Sequence, residues 1–350
     1  MNVIEQELNQ LVDAGLPAAS VYIEDADGQS LFFTAGYADC ATQQPMTPDM
    51  YYRVGSTTKT FTAVVILQLV AEGELALDDT LQELLPEESI LLADALTVEH
   101  LLRMRSGLFD FEDDFSLKGN FEAHLRPYSL QHVLELALQH PAEFLPNSQF
   151  AYCNTNFCLL ELLVERITGN TLGEELTNRI IEPLSLSDTR YPDEDDLSLP
   201  EPYIRGYTQT ASDWTECSHV FFGRGDGALI STAHDMARFF HALLTERVLL
   251  PENFLDRMMQ IVSDDPPAEM AYGMGLIKES LPGGEVWGHS GRGYGYHHFP
   301  FLHVESGRFV VCILNGTYGF KEAELNDEPH PSFTPEFRNE VYDLPLDEGA

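Results

Sequence analysis

The chain has 350 residues, 44% hydrophobic and 11% aromatic, enough to bury a large core in one domain or two lobes. Its formal net charge is −38 at pH 7, from Asp+Glu 57 against Lys+Arg 19. Such a surface repels polyanions, so nucleic acid and anionic membrane are poor partners for it.

Val3 or Ile4, Leu8, Leu11 and Val12 recur at helical spacing, so the chain is predicted to open with an amphipathic helix. Ala19 to Ile23 and Leu31 to Thr34 flank Asp27-Gly28, a hairpin signal. Phe61 to Leu75 is apolar nearly all round until Gly73, the pattern of a buried helix with a stop signal. From Leu77 to Asp188 the texture is helical, with 3.6-period segments at Thr97–Met104, Leu130–Leu138 and Asn156–Ile167, the last followed by Gly169. Tyr191 to Trp214 reads as loop. Ser231–Leu244 reads as a helix capped by Thr232, with Asp235 completing an approximate capping box. Val286-Trp287, Gly295–His303 and Arg308–Leu314 read as strands, and a short helix is predicted after Thr334-Pro335 in an otherwise acidic C-terminal stretch. Strands at both ends and helices between them suggest a sheet-bearing lobe formed by residues 1–76 and 205–350, with a helical lobe, 77–204, inserted and the active site between the two.

The five cysteines, Cys40, Cys153, Cys158, Cys217 and Cys312, contain no C-x-x-C pair and signal neither a zinc site nor a disulfide framework. The longest apolar run, residues 63–70, is too short to span a bilayer, and the start MNVIEQELNQ carries no export signal. A cytoplasmic protein is expected as the chain is written, with a mature exported form as the alternative. The acidity fits either solubility or adaptation to a salty environment, and we favour the second. The melting temperature is therefore expected to rise between low and molar salt; a flat response in a thermal scan counts against salt adaptation.

The chain is poor in lysine, and one lysine stands at the head of the most apolar segment, in Ser56-Thr57-Thr58-Lys59. Residues i and i+3 share a helix face, so Ser56 and Lys59 can touch. An amine held against apolar surroundings loses solvation and its pKa falls. A neutral amine can take the proton of a serine hydroxyl. A capping serine or threonine beside a snorkelling lysine is the blander alternative, and the tetrad alone does not decide between them.

Two later patterns decide it: Tyr152-Cys153-Asn154 and His289-Ser290-Gly291. With Ser56/Lys59 they follow the order of motifs in the penicillin-recognising serine hydrolases, and the chain resembles that superfamily. It looks most like the branch of class C β-lactamases, D-alanyl-D-alanine carboxypeptidases, D-amino-acid amidases and related esterases. The stretch GYADCATQQPMTPDMYYRVGSTTKTFTAVVILQLVAEGEL, the Ser106-Gly107-Leu108 turn, NTNFCLLELLVERITG and Gly227–Thr232 extend the likeness over roughly residues 15 to 316. The resemblance implies an α+β fold, an antiparallel sheet flanked by helices with an inserted all-α domain. It implies a serine hydrolase that forms an acyl-enzyme, needs no cofactor or metal, and acts on a small-molecule or peptide substrate.

By resemblance, Ser56 is the nucleophile, Lys59 the first base, and Tyr152 a proton relay if cations hold its phenol partly ionised. Asn154 binds the substrate amide. Cys153 points away from the site. His289, Ser290, Gly291 and Arg292 line the substrate, with the backbone N–H groups of Ser56 and Arg292 as oxyanion hole. Because imidazole titrates near neutrality, His289 is expected to make the site pH-sensitive. The histidine form of the triplet shifts the expectation from β-lactamase toward peptidase, amidase or esterase on D-amino-acid-containing bonds. A β-lactamase and a non-catalytic binding or sensor module on the same fold are the alternatives. A substrate carboxylate needs a local cation, for which Arg292 and Lys278 are candidates; if neither reaches the pocket, neutral amides or esters fit better. Met104 and Asp226 depart from the family pattern; Met104 is expected to affect packing, Asp226 to sit at the cleft rim and repel anions. His297, His298 and His303 lie close together without an Asp or Cys ligand pattern, so no metal site is assigned. The carboxylate-rich run from Glu72 to Glu88 reads as a solvated face.

Overall fold

The computed structural model describes residues 3–210, 213–262, 271–318, 333 and 335–344. Much of the acidic C-terminal stretch, at 319–332 and 345–350, lies outside the described residues.

Helix α1 (Val3–Asp13) buries Ile4, Leu8 and Leu11 and leads into the hairpin β1 (Ala18–Glu24) and β2 (Ser30–Gly36). A short β3 (Tyr52–Arg53) passes through a 3-10 turn, Gly55–Thr57, into α2 (Thr58–Glu72). α2 is buried around most of its circumference and ends on Gly73 in the left-handed conformation, the geometry glycine adopts without a Cβ penalty. Next come α3 (Leu81–Leu84), α4 (Val98–Leu102), α5 (Leu130–Leu138), α6 (Thr155–Thr168), α7 (Leu172–Leu176) and α8 (Glu182–Leu184). Thr80, Thr97 and Thr171 each close a capping box, which satisfies the N-terminal donors of helices only one turn long.

The segment to Trp214, expected as loop, carries β4 (Tyr207–Thr210) and enters β5 (Asp213–Glu216). Their polar side chains gave no strand signal because the pair belongs to a small separate sheet. Then follow β6 (Ile230–Ser231), α9 (Ala233–Phe240) and α10 (Glu252–Met259). Thr232 caps α9 through the Asp235 amide at 3.3 Å, but the Asp235 carboxylate accepts from the Asp188 amide and the Thr189 hydroxyl, so the expected capping box is half made. The late strands are β7 (Ala271–Tyr272), β8 (Ile277–Leu281), β9 (Gly284–Gly288), β10 (Gly291–Gly293), β11 (Tyr296–His303), β12 (Arg308–Leu314) and β13 (Gly316–Tyr318), before α11 (Pro335–Asp343).

The main sheet has eight antiparallel strands in the order β2-β1-β12-β11-β9-β8-β7, with β10 paired to β11. Alternation sorts its two faces. Ala19, Val21, Ile23, Val310, Cys312 and Leu314 pack with α1 and with Phe333, Phe337 and Val341 of the C-terminal segment. Tyr22, Phe309, Val311 and Ile313 face the larger core that contains α2, α6 and α9. Helices thus cover both faces of an antiparallel sheet, the α+β sandwich expected. No helix among the described residues is long and apolar enough to cross a membrane.

Candidate active site

Ser56 lies in the 3-10 turn and Lys59 one turn further, in the first turn of α2. Lys59 is completely buried. Its Nζ stands 3.1 Å from Ser56 Oγ, 2.6 Å from Asn154 Oδ1 and 2.8 Å from the Asp226 carbonyl oxygen. Burial pushes the Lys59 pKa down, against the pull of Asp226, Glu112 and Asp110. A neutral amine has two hydrogens and one lone pair. Asn154 and the Asp226 carbonyl accept the two hydrogens, which leaves the lone pair facing the Ser56 hydroxyl.

Tyr152 and Asn154 arrive from the stretch that leads into α6. The Tyr152 hydroxyl is hydrogen-bonded to Ser56, and its ring centroid is 5.0 Å from Lys59 Nζ. Tyr152 is 37% exposed, so the group opens to solvent on this side. The expectation of a partly ionised phenol is corrected: desolvation raises its pKa well above the usual value, and Asp226, Asp110 and Glu112 add to the rise. The carboxylates around the site outweigh its one lysine. Cys153 turns away, its thiol donating to the Leu108 carbonyl.

His289 is 1% exposed and its ring centroid lies 6.1 Å from that of Tyr152. Nδ1 is 2.7 Å from the Ser290 carbonyl and Nε2 3.2 Å from the Tyr272 hydroxyl. A proton on Nδ1 and donation from Tyr272 satisfy both contacts. The expected pH-sensitive histidine is corrected here as well: burial, then the Lys59 charge, push it down to about 3, so it stays neutral across the physiological range. The His289 ring resonances in NMR are expected to stay flat between pH 5 and 8; a sigmoid in that interval that disappears in His289→Asn would refute this.

Two glycines allow the segment with the triplet, which leads into β10, to approach the serine turn. Gly55 has φ +48°, and a Cβ there would come within 3.2 Å of the Arg292 amide nitrogen. A Cβ on Gly291 would lie 2.1 Å from the Val54 carbonyl oxygen. The Arg292 amide is thereby brought beside the 3-10 turn that carries Ser56. The Arg292 side chain is exposed and Ser290 is half-buried. Lys278 is not a free cation for the site: it is paired with Glu285 and lies 6.0 Å from the Trp287 ring.

Asp226 is buried, not at the rim; its carboxylate accepts from the Arg224 amide at 2.8 Å and faces the Cys158 thiol. The tight 223–227 turn folds it inward and presents its carbonyl to Lys59. Met104 does more than fill space. Its carbonyl accepts from the Ala151 amide at 2.9 Å, and its sulfur lies 3.4 Å from the Cys153 amide, holding the segment of Tyr152.

Sequence reasoning missed Asp110. Its Oδ2 accepts from both the amide N–H and the Nδ2 of Asn154, at 2.9 and 3.0 Å, which aims Oδ1 at Lys59. Desolvation pushes Asp110 up to about 6 despite these bonds. The signal available was the run Asp110-Phe111-Glu112-Asp113-Asp114 directly after the Ser-Gly-Leu turn. Tyr272 was missed too, being a lone aromatic in a two-residue strand. A separate cavity of about 660 Å³ is lined by Glu161, Glu165, Tyr191, Glu194 and Arg224 among others, and by none of Ser56, Lys59, Tyr152 or His289. Among the described residues, no group of three or more His, Cys, Asp or Glu could hold a metal ion.

A family model described as Beta-lactamase matches residues 4–329. The chain belongs to the Beta-lactamase family. Among solved structures, this Beta-lactamase-family chain is similar to a D-stereospecific amidohydrolase from Streptomyces sp., with 31% identity, TM-score 0.81, and 93% and 98% of the two chains covered. It is also similar to the D-amino acid amidase of Ochrobactrum anthropi SV3 solved with L-phenylalanine amide, at 26% identity and TM-score 0.80 over 91% and 92% of the chains. Among curated proteins it is 27% identical to Esterase EstB of Burkholderia gladioli, over 85% of this chain and 86% of the relative. The protein is an enzyme of the serine hydrolase type.

Proposed function

We propose that Ser56 forms an acyl-enzyme on D-amino-acid amides or short peptides that carry a free α-ammonium group, in a cleft between the helical segment 77–204 and the sheet-bearing remainder. The observation that carries the reading is the Lys59 amine, completely buried, with one direction left open toward Ser56 Oγ. Lys59 takes the Ser56 proton as Oγ attacks the carbonyl carbon. The oxyanion is held by the amides of Ser56 and Arg292. Tyr152, protonated at rest, gives its proton to the leaving nitrogen, and the Lys59 ammonium restores it. Water then releases the acid. Asn154 uses both ends of its amide inside the protein, so its first part is to hold Lys59; His289, Ser290, Gly291 and Arg292 form the substrate-facing edge.

Electrostatics narrows the substrate. Lys278 is occupied by Glu285. Glu112 is exposed and acts on the titration of Lys59, Tyr152 and Tyr294. Desolvation, Asp110 and Asp226 push the Glu112 carboxyl up to about 8, and an ammonium ligand beside it would draw the carboxyl back to its charged form, so that the ligand and the carboxylate charge arrive together. This supports an amine-bearing substrate over one ending in a carboxylate, and agrees with relatives named D-amino acid amidase and D-aminopeptidase.

The test is a panel of D- and L-aminoacyl p-nitroanilides, their N-acetyl forms, short esters and a chromogenic cephalosporin, with Ser56→Ala as control. D-aminoacyl amides are expected to turn over, and N-acetylation to lower kcat/KM about 10- to 100-fold, the value of about 1.5–3 kcal/mol for a charged hydrogen bond. Equal rates for acetylated and free substrates, or turnover of the cephalosporin alone, would overturn the reading.

A further inference from the structure

His298 sits where three chain segments cross behind Ser56. It is completely buried in β11, directly opposite Gly291 of β10. Its Nε2 is 2.6 Å from the Val54 carbonyl and 3.1 Å from the Thr57 hydroxyl. A carbonyl only accepts, so the ring proton is on Nε2. The Thr57 hydroxyl in turn donates to the His289 carbonyl at 2.6 Å. The Tyr52 ring meets the imidazole edge-on at 5.2 Å between centroids, which fixes its plane. Nδ1 is buried and has no hydrogen-bond partner.

Val54 and Thr57 bracket Ser56, and His289 and Gly291 lie at the entry to the strand that carries Arg292. The Val54 carbonyl also accepts the Thr57 amide that closes the 3-10 turn, at 3.2 Å. We propose that His298, through Thr57, is a positioning residue that sets the distance between the Ser56 amide and the Arg292 amide, the two donors of the oxyanion hole. This rests on the reading of Ser56 as nucleophile. His298 touches no substrate; it acts through the two backbone carbonyls. Burial pushes the imidazole down to about 4, so the clamp is neutral and carries one proton, on Nε2, shared between the Val54 carbonyl and the Thr57 oxygen. The motif alone leaves the spacing of the hole open, because its halves are far apart in the chain and only a third group can bridge them. A shift of about 1 Å in such a site costs on the order of 10²-fold in rate.

The test compares His298→Leu, His298→Gln and Thr57→Val by kcat and KM on a turned-over D-aminoacyl substrate, by the rate of covalent labelling with a fluorophosphonate, and by melting temperature. His298→Leu is expected to lower kcat and the labelling rate about 10- to 100-fold while KM stays within about threefold. His298→Gln, whose amide Nε2 can still donate to Val54, is expected to recover most of the loss. A purely structural role would lower the melting temperature of both variants and leave kcat, measured well below melting, near wild type; that result overturns the proposal. Should His298→Leu fail to fold, Thr57→Val removes only the bridge to His289, and an unchanged kcat and labelling rate there overturn it equally. Wild type that is not labelled at Ser56 removes the nucleophile reading and this inference together. Labelled wild type with undisturbed variants removes this inference alone.

Discussion

Replacing Lys59 with alanine is expected to slow acylation about 10²- to 10⁴-fold, the range for losing a positioned general base, with little change in KM. Lys59 makes no contact that a ground-state substrate would replace; its three partners are Ser56, Asn154 and the Asp226 carbonyl. Its loss therefore falls on the proton transfer. The sign of the pH dependence follows. The amine acts only when neutral, and burial lowers its pKa from the ordinary lysine value. kcat/KM should rise with pH as Lys59 loses its proton and fall as pH drops below its depressed pKa. His289, already neutral, adds no limb between pH 5 and 8. Asp110, Glu112 and Asp226 interact with Lys59, so the apparent pKa belongs to the group. Single-turnover labelling across pH measures it. Labelling by Lys59→Ala at the wild-type rate would remove the lysine from the mechanism.

The largest stability effect is expected at Glu161. Replacing it with alanine should cost about 3–5 kcal/mol, the range for stripping one partner from a buried ion pair. Glu161 is completely buried and accepts from Arg224 Nη2 at 3.2 Å, the Gly225 amide at 2.6 Å and the Tyr191 hydroxyl at 2.8 Å. Burial raises its carboxyl, against the pull of Arg224, Tyr191 and Gly225. Without Glu161 the Arg224 guanidinium stays buried with no carboxylate closer than Glu194 at 4.0 Å. The same change frees the turn that presents the Asp226 carbonyl to Lys59, so activity should fall further than stability explains. Glu161→Gln keeps an acceptor for Gly225 and Tyr191 and should lose less. Equilibrium urea denaturation checks both; an alanine variant within about 1 kcal/mol of wild type would contradict the assignment of a buried charge here.

Several features were legible in the residues themselves. Phe61 to Leu75 is apolar nearly all round until Gly73, and α2 is buried around most of its circumference as that pattern requires. Ser56 and Lys59 are three apart on a helix, so their contact needs only local geometry. The Tyr152 and His289 motifs were found through family likeness, since nothing in their spacing brings them to Ser56. The polar strands β4 and β5 were missed because strand reading depends on apolar alternation, and these pair in a small sheet of mixed exposure.

What the chain by itself determined is the local chemistry: a hydroxyl and an amine on one helix face, the capping threonines, the stop glycines, the alternating faces of β1 and β12. Tertiary structure decided how each group behaves. Whether Lys59 is neutral, Tyr152 protonated, His289 silent to pH and Asp226 buried depends on desolvation and on charges contributed by distant segments. Asp110 meets Asn154, and His298 meets Val54, only because strand register and turn geometry bring them within hydrogen-bond distance. A side chain's pKa and direction are properties of its surroundings, and those surroundings come from parts of the sequence that carry no local mark of one another.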